Sequence, residues 1–153
     1  MNLSSGYFLY FQSSPEHPDW APFLNSVFVL QPNPDDTYLL APLRGDGVYR
    51  ISGTRGTVKL LTFSTGRNMM GMSAEPGRNF DYFDADDLAL GADGTLEVIL
   101  SAERPAGHQG NWWPLHREAE FILVRQRSYD WGREQDARLA IEPVGLQFIG
   151  VVD

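Results

Sequence analysis

The run Phe121-Ile-Leu-Val124 constrains this chain more than any other stretch. In an extended strand Phe121 and Leu123 project to one side and Ile122 and Val124 to the other, so both faces must be covered. Arg125 then falls on the Phe121 side, one pleat further on. Such a strand belongs inside a layered β structure. The double Trp at 112 and 113 before it, and Asp130-Trp131 after it, are expected to anchor its two ends.

Short runs of the same character recur around it. Ser26 to Gln31 is stopped by Pro32 and Pro34, and Thr37 to Ala41 by Pro42, with Gln31 to Asp36 as a rigid turn between them. Val48 to Ser52 and Thr57 to Ser64 flank Gly53-Thr-Arg-Gly56, a spacing that predicts a hairpin. Leu88 and Leu90 lead through Gly91-Ala-Asp-Gly94 into the alternating stretch Thr95 to Ala102, which predicts a second. Thr65 to Asn79, rich in glycine and methionine and without alternation, reads as a long loop. With Arg138 to Glu142 and Leu146 to Val152 the total is about eight to ten short strands, the pattern of an all-β sandwich or barrel. Residues 1–22 read as a connector whose apolar run Gly6 to Gln12 fits helix or strand alike, and residues 23–153 as one β-sandwich domain.

The totals agree with one domain. A chain of 153 residues, 42% hydrophobic and 21% charged, buries roughly 68–70% of its unfolded surface on folding. A net charge of -8 repels phosphate backbones and anionic bilayers, so neither nucleic acid nor membrane is expected as a partner. Without cysteine there is no disulfide, thiolate nucleophile or cysteine-held metal. The apolar run Tyr7 to Phe11 is too short for a leader or a span, and a soluble, cytoplasmic protein is expected.

Several residue groups have chemistry to offer, each beside a structural alternative. Asn111, Trp112 and Trp113 form either an aromatic wall with one amide, suited to sugars or flat apolar molecules, or a plug at the end of the sandwich. Arg125 either pairs with Asp130 or presents its fork to a ligand carboxylate. His108 and His116 flank the double Trp and, with Asp130 or Glu118, hold enough donors for a metal, although their spacing demands none. The acids Asp81, Asp84, Asp86 and Asp87 lack the glycine and terminal glutamate of a calcium loop. Arg44-Gly-Asp46, followed by Gly47, reads as a turn. No serine elbow or phosphate loop is present, and no cofactor is expected.

Five short motifs also stand in a particular order: Asn33-Pro-Asp-Asp-x-Tyr38, Tyr49-Arg-Ile-x-Gly53, Asp93-Gly94, Asn111-Trp112, and Val124-Arg-Gln126 leading to Asp130-Trp131. That order, over roughly residues 23 to 145, resembles the bacterial domain-of-unknown-function family 1214, often joined to a domain of family 1254. The resemblance implies an antiparallel β-sandwich of jelly-roll type and no established reaction. Family members carry a longer helical N-terminal segment, here reduced to about twenty residues, so the resemblance implies that Gly6 to Gln12 is the reduced remnant of a helix and that a site built against those helices does not carry over. The expected function is a binding module, with a groove near Trp112 that takes an apolar or carbohydrate-like small molecule. The alternatives are a hydrolase or metal-assisted enzyme using His108, His116, Arg125 and Asp130, and a structural subunit that self-associates into a homo-oligomer.

Overall fold

The computed structural model describes residues 13–23, 35–68 and 74–145. Nine strands appear among them: β1 (Ala21–Phe23), β2 (Asp36–Pro42), β3 (Val48–Thr54), β4 (Leu60–Arg67), β5 (Arg78–Asp84), β6 (Thr95–Ser101), β7 (Trp112–Pro114), β8 (Phe121–Arg127) and β9 (Arg138–Pro143). The expected strands at Ser26 to Gln31 and Leu146 to Val152, and the run Gly6 to Gln12, lie outside the described residues.

The strands form an all-β sandwich. One sheet runs β1-β2-β8-β4-β5 and the other β7-β6-β3-β9. Its core follows from alternation. Leu61 and Phe63 of β4 and Ile122 and Val124 of β8 meet Ile51 of β3 and Leu96, Val98 and Leu100 of β6 in one buried cluster. The pairings are antiparallel except that β6 and β7 run parallel, so the expected purely antiparallel arrangement has one departure. The strand boundary lies slightly earlier than expected: Ala21–Phe23 already pairs with β2, inside the stretch read as a connector.

As expected, β8 is central to its sheet, with β2 on one side and β4 on the other. Both predicted hairpins are absent. β3 pairs with β6 and β9, whereas β4 pairs with β5 and β8, so Gly53-Thr-Arg-Gly56 carries the chain from one sheet to the other. The physical reason lies in Gly53. A Cβ there would stand 1.9 Å from the Arg138 carbonyl oxygen, so the glycine serves a close approach to β9. At Gly91 to Gly94 the turn exists, with the Gly91 N–H donating to the Thr95 carbonyl at 2.8 Å, but Leu88 and Leu90 form no strand before it. Instead the stretch read as one long loop contributes to two strands, because β4 extends to Arg67 and β5 begins at Arg78. Arg44-Gly45-Asp46 is a turn between the sheets, closed by the Gly47 N–H on the Arg44 carbonyl at 2.9 Å.

Candidate functional site

On β2 and β8 the register places Asp36 opposite Arg127 and Tyr38 opposite Arg125. Leu39 and Ala41 pair with Val124 and Ile122, which face the core, so Asp36, Tyr38, Arg125 and Arg127 share the outer face of the five-stranded sheet. The Asp36 side chain is fully buried, while those of Arg125 and Arg127 remain 34% and 29% exposed. Arg127 Nε donates to Asp36 Oδ1 at 2.6 Å and its Nη2 to Oδ2 at 2.9 Å. Arg125 Nε donates to Oδ2 at 2.9 Å, with its Nη2 at 2.7 Å, and the Tyr38 hydroxyl donates to the same oxygen at 3.1 Å. Burial on its own would raise the Asp36 pKa. The hydrogen bonds from Arg127, Arg125 and Tyr38 outweigh it and hold the carboxyl at about 2. Burial, with the bond to Asp36 second, raises the Tyr38 phenol, and the same carboxylate raises the Arg127 guanidinium.

The anticipated Arg125–Asp130 pair is therefore replaced by Arg125–Asp36. β8 ends at Arg127, and Asp130 turns away into the next connection, where its Oδ1 accepts from the Gly132 N–H at 3.1 Å. That connection is tightly held. Glu134 Oε2 accepts from Ser128 Oγ at 3.0 Å and from the Tyr129 N–H at 2.8 Å, and the Glu134 N–H donates to the Asp130 carbonyl at 2.8 Å. Further along, the Gln135 N–H donates to Thr57 Oγ1 at 2.8 Å and the Ala137 N–H to the buried Gln126 Oε1 at 2.6 Å. The fixed loop nevertheless leaves Tyr129 70% and Trp131 66% exposed. Trp131 does not anchor the strand. It stands between a groove of about 630 Å³, lined also by Asp35, Arg127, Tyr129 and Asp130, and one of about 390 Å³, lined also by Thr37, Gln126, Glu134 and Asp136.

The double-Trp corner is tied into the sandwich by hydrogen bonds and ring packing. Asn111 Nδ2 donates to the carbonyls of Ala89 and Glu97, each at 2.9 Å, and its Oδ1 accepts the Ala89 N–H at 2.9 Å. Trp112 Nε1 donates to Ser101 Oγ at 3.0 Å. Trp113 is only 6% exposed and stacks on Phe83 at 4.7 Å between ring centres, with Phe63 tilted against it at 4.9 Å. A groove of about 680 Å³ opens beside Asn111 and His108, but neither Trp112 nor Trp113 lines it.

The histidines have separate settings. His108 Nε2 lies 2.9 Å from the Asn111 carbonyl oxygen, which makes it the protonated nitrogen. His116 stacks on Phe80 at 3.9 Å and its Nδ1 accepts the Glu118 N–H at 3.1 Å. Among the described residues no three His, Asp or Glu side chains gather as a metal site. Of the acids at 81 to 87, Asp84 caps the one-turn 3-10 segment Ala85–Asp87 and Asp86 pairs with Arg55 at 2.8 Å.

Asp36, Tyr38, Arg127, Tyr129 and Trp131 were not among the site residues expected from sequence. A signal existed for the charged set. Asp36 and Tyr38, like Arg125 and Arg127, are two residues apart and so share a strand face. Nothing in the sequence marked Trp131 as exposed.

Comparison with solved structures finds the fold in the crystal structure of an uncharacterised protein from Burkholderia cenocepacia, at 27% sequence identity and a TM-score of 0.83. The alignment covers 99% of this chain and 42% of that one, so this chain spans less than half the length of that protein. No family model matches the chain, and no curated protein matches it. No helix among the described residues is long and apolar enough to cross a membrane.

Proposed function

We propose that this chain is a small-molecule binding module whose ligand lies against Trp131 and Tyr129, a carbohydrate-like molecule with hydroxyls on its rim and an apolar face. The reading keeps the expected class of function and moves the groove from Trp112 to the far end of β8. The observation that carries it is Trp131, 66% exposed on a loop fixed by hydrogen bonds, with a groove on either side. An exposed indole on a mobile loop loses side-chain and backbone freedom when it binds; on a fixed loop most of that cost falls at folding. The indole offers a flat apolar platform. Arg127 on one side offers donors, and Asp35 and Asp130 offer acceptors, which suits the alternating hydroxyls of a polyol. Asp36 fixes the position of Arg127 by two hydrogen bonds.

The test is a fluorescence titration of the intact chain with a panel of neutral mono- and disaccharides, repeated on W131A. Binding with an indole spectral shift, weakened at least about tenfold in W131A, is the expected result, since losing one stacking platform removes roughly 1.4 kcal/mol or more. The thermal midpoint of W131A should match that of the parent, because an exposed side chain contributes within about 0.5 kcal/mol. Equal affinity of parent and W131A for every sugar that binds would remove the reading.

A further inference from the structure

We infer that the Trp131 site selects, among molecules with hydroxyls on the rim and an apolar face, those that also carry a protonated amine: an amino sugar rather than a neutral or an acidic one. The inference rests on the reading of Trp131 as the platform and adds the charge of what lies on it. Trp131, Asp35 and Ser128 line both grooves, so the two meet along one ridge and a ligand seated on the indole reaches into either. Among the described residues the smaller groove is lined by three carboxylates, Asp35, Glu134 and Asp136, and by no basic side chain. Every lysine, arginine and histidine of the chain lies within the described residues, so that absence holds for all its basic side chains.

The carboxylates keep their charge available. Asp136 is exposed and makes no side-chain hydrogen bond or ion pair among the described residues. The Tyr129 N–H and then the Ser128 hydroxyl outweigh the effect of burial and hold the Glu134 carboxyl below its ordinary range, so it is ionised at neutral pH. On the other side of the indole, Arg127 is the base that lines the larger groove, and its Nε and Nη2 are engaged by Asp36, whose own charge Arg125 balances. Arg133 lies outside both grooves, with its Nε 3.7 Å from Asp130 Oδ2. Setting these two arginines, 127 and 133, against the four carboxylates of Asp35, Asp130, Glu134 and Asp136 leaves two negative charges around Trp131. Two effects then favour a cation. The face of an indole carries the negative end of its quadrupole and attracts an ammonium group. Carboxylates beside it attract the same charge and repel an acidic ligand.

The experiment is a calorimetric titration of the intact chain, below neutral pH and at low salt, with glucosamine, glucose and glucuronate, which share one ring and differ in charge. Glucosamine should bind at least about fivefold more tightly than glucose. Glucuronate should bind more weakly than glucose, and added chloride should shrink both differences. D136N, at an exposed position, should lose at least about half of the glucosamine affinity and keep that for glucose. W131A should weaken both. Equal affinity for glucosamine and glucose would overturn the inference and leave Trp131 as a platform for neutral sugars, whereas no binding of either would remove both readings. An undiminished preference for glucosamine in D136N, or glucosamine binding unchanged in W131A, would also overturn it.

Discussion

Asp36 has a fully buried side chain beside two guanidiniums, and its behaviour with pH follows from that. Its carboxyl has an ordinary value of 3.8 and sits at about 2 in the fold. The unfolded chain therefore takes up the proton first on acidification. The pairing contributes fully above the unfolded value and is lost as pH falls from about 4 towards 2, a loss on the order of 2 kcal/mol. Denaturant midpoints measured from pH 5 down to 2 should fall in the parent and fall less steeply in D36N, which begins lower; parallel curves would contradict the pairing. Asn111 makes a different prediction. Its three hydrogen bonds to the backbone of Ala89 and Glu97 hold an irregular segment against β6, and N111A should cost about 2–3 kcal/mol by chemical denaturation. At this scale the sequence was legible where types and spacing sufficed, as for Arg125 on the Phe121 side of β8. The partner of Arg125 was not legible, because Asp36 lies 89 residues away and only the β2–β8 register brings it there.

Among the elements, β3 shows how backbone geometry limits what a local pattern can predict. Gly53 has φ 149° and no room for a Cβ against the Arg138 carbonyl. G53A should cost at least about 1–3 kcal/mol, from a conformation L residues rarely adopt together with displacement of β9; a thermal midpoint equal to the parent's would contradict the close approach. The hairpin expected at this glycine failed for a general reason. A glycine-bearing four-residue link between two strand-like runs is compatible with a turn within one sheet or a step between two, and only the burial of both flanking strands in opposite layers separates these. The long loop expected from Thr65 failed differently, since β4 keeps Thr65 and Gly66 buried at the edge of the core without an alternating apolar pattern. By contrast, β2, β6, β8 and β9 stand where alternation and proline stops placed them.

For the whole molecule, the chain passes between the two sheets at β2–β3, β3–β4, β5–β6, β7–β8 and β8–β9, so neither sheet is a continuous segment. Neither layer is expected to unfold alone. Near-ultraviolet and far-ultraviolet circular dichroism should report one coincident transition, and separated midpoints would show independent layers. Refolding should take milliseconds to seconds, because pairings such as β2 with β8 close long loops before they are rewarded. What the sequence determined by itself was the class of fold: strand-length apolar runs, their alternation and their glycine and proline stops admit an all-β sandwich or barrel and little else. Its lack of cysteine likewise removed disulfide and thiolate chemistry from this chain. Tertiary structure decided which strand pairs with which, that Trp113 fills the core while Trp131 faces solvent, and that Asp36 holds two arginines. The physical reason is that strand propensity and side-chain alternation act over neighbours. Pairing and exposure depend on residues distant in sequence, whose approach is set by the packing of two whole sheets.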